Sequence, residues 1–152
     1  MSVHVPATAR GVPLVDARAA RFAQAAVAVL VLAAAALGDW RLLAVPALHL
    51  AASAALGRRG NFPIRFFDAF VRRRLATAAL EDARPPRFAN VIGAVFLAAS
   101  LLAHAAGASL AGWGLALTVA VLAALAATTG FCVGCRLYWL VALLRRAGVR
   151  GA

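Results

Sequence analysis

The chain has no lysine and only five acidic residues among its 152, and charged residues of every kind make up 14% of it. What fills the gap is apolar: 64% of the residues are hydrophobic, against about half in a soluble domain. No aspartate or glutamate falls inside a long apolar run, which argues against a proton-coupled transporter. No phosphate-binding glycine loop, no Ser/His/Asp set and no pair of opposed carboxylates is visible, and nothing calls for a cofactor, so cofactor-binding residues stay unassigned. There are only two cysteines, so any enzymatic reading rests on two thiols.

The apolar residues come in four runs: Phe22–Leu37, Leu42–Leu56, Phe88–Ala106 and Leu110–Thr129. A spanning helix needs roughly 20 residues, within a range of about 17 to 25. The last two runs qualify outright, and the first two qualify once their flanks join them. Gly38-Asp39-Trp40-Arg41 separates the first two as a tight turn, and Pro46 lies in the early turns of the second, where a membrane bundle tolerates it. The first run begins at residue 22 and leads straight into another, so it reads as a retained helix rather than a cleaved signal.

The net charge of +11 comes from arginine. Taken alone it suggests nucleic acid. Its placement argues instead for a bilayer and no nucleic acid. Fifteen of the 16 arginines fall on one side if four spans place both termini in the cytoplasm, with Arg41 the exception. Trp40 and Trp113 then mark the outer boundary, and Tyr138 and Trp139 the inner one. The expected fold is all-α: an integral membrane bundle of four transmembrane helices, readable as two repeated hairpins, with an interfacial amphipathic helix between helices two and three. The chain reads as one membrane domain, residues 1–152, with spans at about 20–38, 41–57, 88–106 and 110–130. A cytoplasmic amphipathic segment covers about 62–80, with an apolar stripe at 63, 67, 70, 71 and 75 and arginines off it, suited to anionic lipid. A C-terminal interfacial helix covers about 132–146. The repeat is suggested by Arg21-Phe22-Ala23-Gln24, which returns 66 residues later as Arg87-Phe88-Ala89-Asn90.

Phe131-Cys132-Val133-Gly134-Cys135 closes the fourth run. A helix running unbroken from Leu110 through this stretch to Leu144 would be some 50 Å long at about 1.5 Å per residue, too long for a span. Gly130 therefore predicts a break, with an interfacial helix from Leu137 to Leu144. Cysteines three apart share one helical face. At a helix start, free N–H groups and the helix dipole stabilise a thiolate, and Arg136 adds positive charge. The catalytic candidates are thus Cys132, Cys135 and Arg136. In a reducing compartment such a pair points to thiol exchange, sulfur transfer or metal binding rather than a structural staple. A metal site takes about four ligands, and the spacing supplies no others, although His4 or a second copy in a homo-oligomer would be the source. No metal residue is assigned. Packing is the remaining role. His49 and His104 lie inside spans, where a proton relay, a quinone contact or a bond to a neighbouring serine or carbonyl are the alternatives.

Three landmarks occur in order: Val15-Asp16-Ala17-Arg18 with Arg21-Phe22; Pro86-Arg87-Phe88-Ala89; and Phe131-Cys132-Val133-Gly134-Cys135 with Tyr138. With them the chain resembles a bacterial membrane family catalogued as a domain of unknown function, DUF4395, from about Val15 to Leu144. Ala17 stands where relatives often carry proline. The resemblance implies four spans in a bacterial plasma (inner) membrane. It also implies a link to cytoplasmic thioredoxin-like or rhodanese-like proteins, the expected exchange partners of a membrane thiol-redox or sulfur-transfer component. A small transporter or soft-metal-handling protein, and a structural or assembly subunit docked through its arginines, are the alternatives.

Overall fold

The computed structural model describes residues 13–71 and 80–149, with side chains as far as Leu144. Strand β1 (Leu14–Asp16) runs into helix α1 (Ala17–Leu37); a 3₁₀ turn at Trp40–Leu43 leads into α2 (Ala44–Leu56). A short helix α3 (Phe62–Phe66) passes into a π turn at Phe67–Val71. Strand β2 (Leu80–Asp82), α4 (Arg84–Ala105), α5 (Ser109–Thr129) and α6 (Val133–Val149) follow. Four segments, Ala17–Leu37, Trp40–Arg59, Arg84–Ala105 and Ser109–Thr129, are long and apolar enough to cross a membrane. The all-α bundle expected from the sequence is the fold found.

Local chemistry sets the helix ends. The Asp16 side chain accepts the Arg18 N–H at 3.0 Å and caps α1. Gly38 ends α1 in the left-handed region (φ 67°), where its N–H reaches the Ala34 and Ala35 carbonyls. The core is made of small and branched residues, among them Val27, Val31, Ala34, Leu97, Ala116, Ala120 and Ala123. Small side chains let membrane helices approach closely when burial of apolar surface supplies no contrast with lipid. Leu37, Leu48, Leu102 and Leu110 point outward, as a lipid-facing surface requires.

α1 packs along α5, and α2 along α4. These are equivalent contacts if α1–α2 and α4–α5 are two copies of one hairpin. The signal is stronger than the Arg-Phe-Ala echo alone. Leu14–Gln24 and Leu80–Asn90 are identical at seven of eleven positions, from Leu14/Leu80 through Asp16-Ala17-Arg18/Asp82-Ala83-Arg84 to Arg21-Phe22-Ala23/Arg87-Phe88-Ala89. The matched residues do matched jobs. Asp82 accepts the Arg84 N–H at 2.9 Å, as Asp16 does for Arg18. Arg87 donates to the Ala54 and Ala55 carbonyls at the end of α2 (2.5 and 2.7 Å). The Arg21 guanidinium lies against Gly130 at the end of α5. Phe22 meets Phe66 and Phe67 after the first hairpin, and Phe88 meets Tyr138 after the second. The two strands pair antiparallel with Val15 opposite Glu81, so the pseudo-twofold axis passes through that pair.

The halves differ inside each hairpin. α4 and α5 pack closely, whereas α1 and α2 barely touch. The segment expected as an amphipathic helix over 62–80 is helical as far as Val71, Leu80 lies in a strand, and 72–79 lie outside the described residues, Arg72, Arg73 and Arg74 with them. Its buried side chains are Ile64 and Phe67, while Phe70 of the expected apolar stripe is exposed. Ile64 and Phe67 pack on Val15, Ala19 and Ala23, so the segment is pinned to α1 and the ladder.

A candidate thiol site at the arginine-bearing end

Helix α5 stops at Thr129 because Gly130 turns left-handed (φ 73°) and returns its N–H to Ala126. Thr129 Oγ1 donates to the Leu125 carbonyl (2.7 Å) and accepts the Phe131 N–H (3.1 Å), which fixes the direction of the exit. The chain restarts at Val133, within a residue of the expected 132–146 segment and four residues ahead of the Leu137–Leu144 run within it. Cys132 acts as its own cap there: its Sγ accepts the Cys135 N–H (3.2 Å) and its carbonyl accepts the Arg136 N–H (3.1 Å). Cys132 therefore sits at the mouth of α6, and Cys135 in its first turn. The two form a disulfide with Cα atoms 5.2 Å apart, within the span such a bond requires.

Glycine 134 determines how the pair sits. A Cβ there would stand 2.6 Å from the Ala89 Cβ and 2.9 Å from its Cα, so only glycine lets α6 lie this close on α4. Both cysteines are half-buried. Cys132 and Gly134 line a small central cavity of about 80 Å³ together with Gln24 and Asn90, which are equivalent residues of the two halves. Phe131 is exposed, and the Arg136 guanidinium lies over its ring at 5.5 Å. Arg136 thus neighbours the pair through its backbone, and the described contacts take its charge to Phe131 rather than to a sulfur.

Two of the polar residues singled out by sequence lie elsewhere. His104 is buried near the opposite end, with Nδ1 2.9 Å from the Ser100 carbonyl. Its ring stacks on Trp40 and meets Trp113 edge-on, with centroids at 5.6 and 4.9 Å. The bond is to a backbone carbonyl, as one reading expected, but within α4 rather than to a neighbouring helix. His49 is half-buried on α2. His4 lies outside the described residues. Among the described residues no three of His, Cys, Asp and Glu come together as a metal site.

Two features were missed. Gln24 and Asn90 drew no notice as site residues, although the repeat that contains them was seen. The gap between α1 and α2 leaves no mark in a hydropathy pattern.

The family described as Domain of unknown function (DUF4395) matches residues 15–142. Neither a curated protein nor a solved structure matches the chain.

Proposed function

The chain belongs to the DUF4395 family, and we propose that it serves there as a membrane-bound thiol-redox or sulfur-transfer partner acting through Cys132 and Cys135. The observation that carries this reading is the pairing of the two sulfurs across the first turn of α6, with the Cys132 sulfur held on a backbone N–H. A sulfur placed there becomes a better leaving group and a more stable thiolate.

In the exchange, a thiolate of a dithiol partner attacks the Cys132 sulfur and expels the Cys135 thiolate. A second partner thiol then attacks the mixed disulfide and releases the Cys132 thiolate. The partner leaves as a disulfide, two electrons have passed to the membrane pair, and the protons go to solvent. In the reverse direction Cys132 is the nucleophile and Cys135 the resolving thiol. Arg136 contributes positive charge near the helix mouth. The step needs two exchangeable thiols, which a cytoplasmic thioredoxin-like protein, the proposed partner, would supply. The setting is the bacterial inner membrane with both termini in the cytoplasm, an orientation that the one-sided distribution of arginine supports.

The test is a redox titration of the purified protein against dithiothreitol, read by alkylation mass, beside a strain carrying Cys132→Ala with Cys135→Ala. A reversible two-electron transition and a changed cellular thiol or sulfane-sulfur pool are expected. A pair that cannot be reduced without unfolding, together with an unchanged pool, would sink the reading.

A further inference from the structure

Where α1 and α2 diverge, a cavity of about 560 Å³ opens at the arginine-bearing end. Its size is that of a site for a small ligand. The walls are apolar, with Val15, Ala20, Ala23, Ile64, Phe88 and Val91 among them. Val91 is also exposed on the outer surface of α4, so the cavity communicates with the layer around the bundle.

One corner is polar and unsatisfied. The Ser53 hydroxyl is fully buried and has no hydrogen-bond partner among the described residues, although the residue lines the cavity. A buried hydroxyl left without a partner is rare and costly. Asn90 of α4 also lines the cavity; it is nine-tenths buried, and its carboxamide makes no hydrogen bond among the described residues. Arg87 lies one helical turn before Asn90 and bonds the carbonyls of Ala54 and Ala55, the residues next to Ser53. Those partners are neutral. Arg58 and Arg84 also line the cavity, and each has a carboxylate, Asp68 and Asp82. Arg87 has none among the described residues, and no acidic side chain lines the cavity. The corner therefore offers a hydroxyl, an amide and an uncompensated positive charge, at the mouth of an apolar gap that opens to the side.

We infer that this cavity binds an amphiphile with an anionic head, its carboxylate or phosphate seated at Ser53, Asn90 and Arg87 and its chain lying between α1 and α2. The head supplies the acceptor that Ser53 and Asn90 lack and the charge that Arg87 lacks. The chain covers the walls that α1 and α2 leave open. A free fatty acid and an anionic phospholipid share this chemistry. The inference does not depend on the thiol reading, since neither cysteine lines the cavity.

The experiment is native mass spectrometry of the full chain in detergent, titrated separately with oleate, phosphatidylglycerol, monoolein and phosphatidylcholine. One bound oleate or phosphatidylglycerol per chain is expected, with the uncharged or zwitterionic counterpart at least tenfold weaker. Binding of oleate alone identifies a fatty acid as the source, and binding of phosphatidylglycerol alone a membrane lipid. Arg87→Gln should weaken the anionic ligand by about ten- to a hundredfold, the range for a hydrogen bond to a charged group. Because Arg87 also caps α2, Val91→Trp is the companion variant; it fills the cavity from an exposed position and should abolish binding while leaving the unfolding midpoint in place. Equal binding of charged and uncharged amphiphiles overturns the inference. So does a folded Val91→Trp protein that binds as the wild type does.

Discussion

Gly112→Ala tests whether the far end of the bundle is held by one imidazole. The Ser100 hydroxyl donates to the Gly112 carbonyl at 2.7 Å and ties α4 to α5. A Cβ on Gly112 would overlap Nδ1 and Cε1 of His104 and stand 2.8 Å from its Cγ. The ring cannot swing aside. Trp40 lies parallel to it at an interplanar angle of 8°, Trp113 meets it at 83°, and Nδ1 is tied to Ser100. Overpacking of this kind costs about 1–3 kcal/mol. Replacing glycine by alanine inside a helix returns up to about 1 kcal/mol of backbone propensity. That second term is the same whether or not the imidazole is present, so it cancels in a double-mutant cycle. With His104→Ala as the second change, the clash is gone and Gly112→Ala should be neutral or slightly stabilising. The coupling between the two sites should then be about 1–3 kcal/mol, against the additivity within about 0.5 kcal/mol expected of independent sites. Reversible unfolding in detergent, followed by tryptophan emission, gives the four stabilities. An equal cost of Gly112→Ala in both backgrounds refutes the idea that His104 is what glycine makes room for.

Gly134→Val should push α6 off α4 and cost about 1–3 kcal/mol, because its clash is with the Ala89 backbone as well as its Cβ. After reduction the two cysteines should alkylate several times faster than in the wild type, and an unchanged rate would mean that Gly134 does not set their burial. Arg87→Met frees the last carbonyls of α2 and should lower stability by about 1.5–3 kcal/mol, the range for bonds to a charged donor. Arg21 lies against Gly130 at the end of α5 but makes no hydrogen bond there among the described residues, so Arg21→Met should cost less than Arg87→Met, and an equal loss would mean that the two arginines cap alike. An Asp39→Cys variant lacking the native cysteines should react with an impermeant maleimide from one membrane face, and Cys132 in the reduced wild type only from the other. Reaction of both from the same face contradicts the up-down course of the four helices.

The spans were legible because a bilayer imposes one simple demand, a long uncharged run, and four runs meet it. The packing partners were not. Alanine and valine faces such as those of α1 and α5 fit many neighbours, and only the folded chain shows that α1 takes α5 rather than α2. The ladder was invisible for another reason. Leu14–Asp16 and Leu80–Asp82 are three residues each, too short for alternation to register. Gly130 did announce the end of α5, and the 132–146 segment begins within a residue of α6; what the sequence did not show is that Cys132 caps the helix with its sulfur, since cysteine is not among the usual cap residues. The disulfide, the glycine contact beneath it and the proximity of Gln24 and Asn90 all depend on which helices meet, so hydropathy could not give them.

The two halves begin alike and then diverge, and the divergence gives each its own feature. After the first hairpin the chain folds into α3 and its π turn, whose Ile64 and Phe67 wedge under α1 with Phe22 stacked on Phe66 and tilted against Phe67. Bulky side chains in that place fit a gap between α1 and α2. After the second hairpin the equivalent position holds α6, and Gly134 lets it lie flat on Ala89. α4 and α5 stay closed, and the cysteines are carried against the axis instead. An aromatic wedge in one copy and a glycine contact in the other thus turn one hairpin plan into an open half with an unsatisfied polar corner and a closed half with a thiol pair. Gln24 and Asn90, matched by the repeat, line both the large cavity and the small one that Cys132 reaches. An amphiphile in the open half would therefore touch the same two residues that line the small cavity with Cys132, which makes the redox titration with and without bound oleate the measurement that joins the two halves. A midpoint that shifts with the ligand couples them, and one that does not leaves two independent sites built on one duplicated frame.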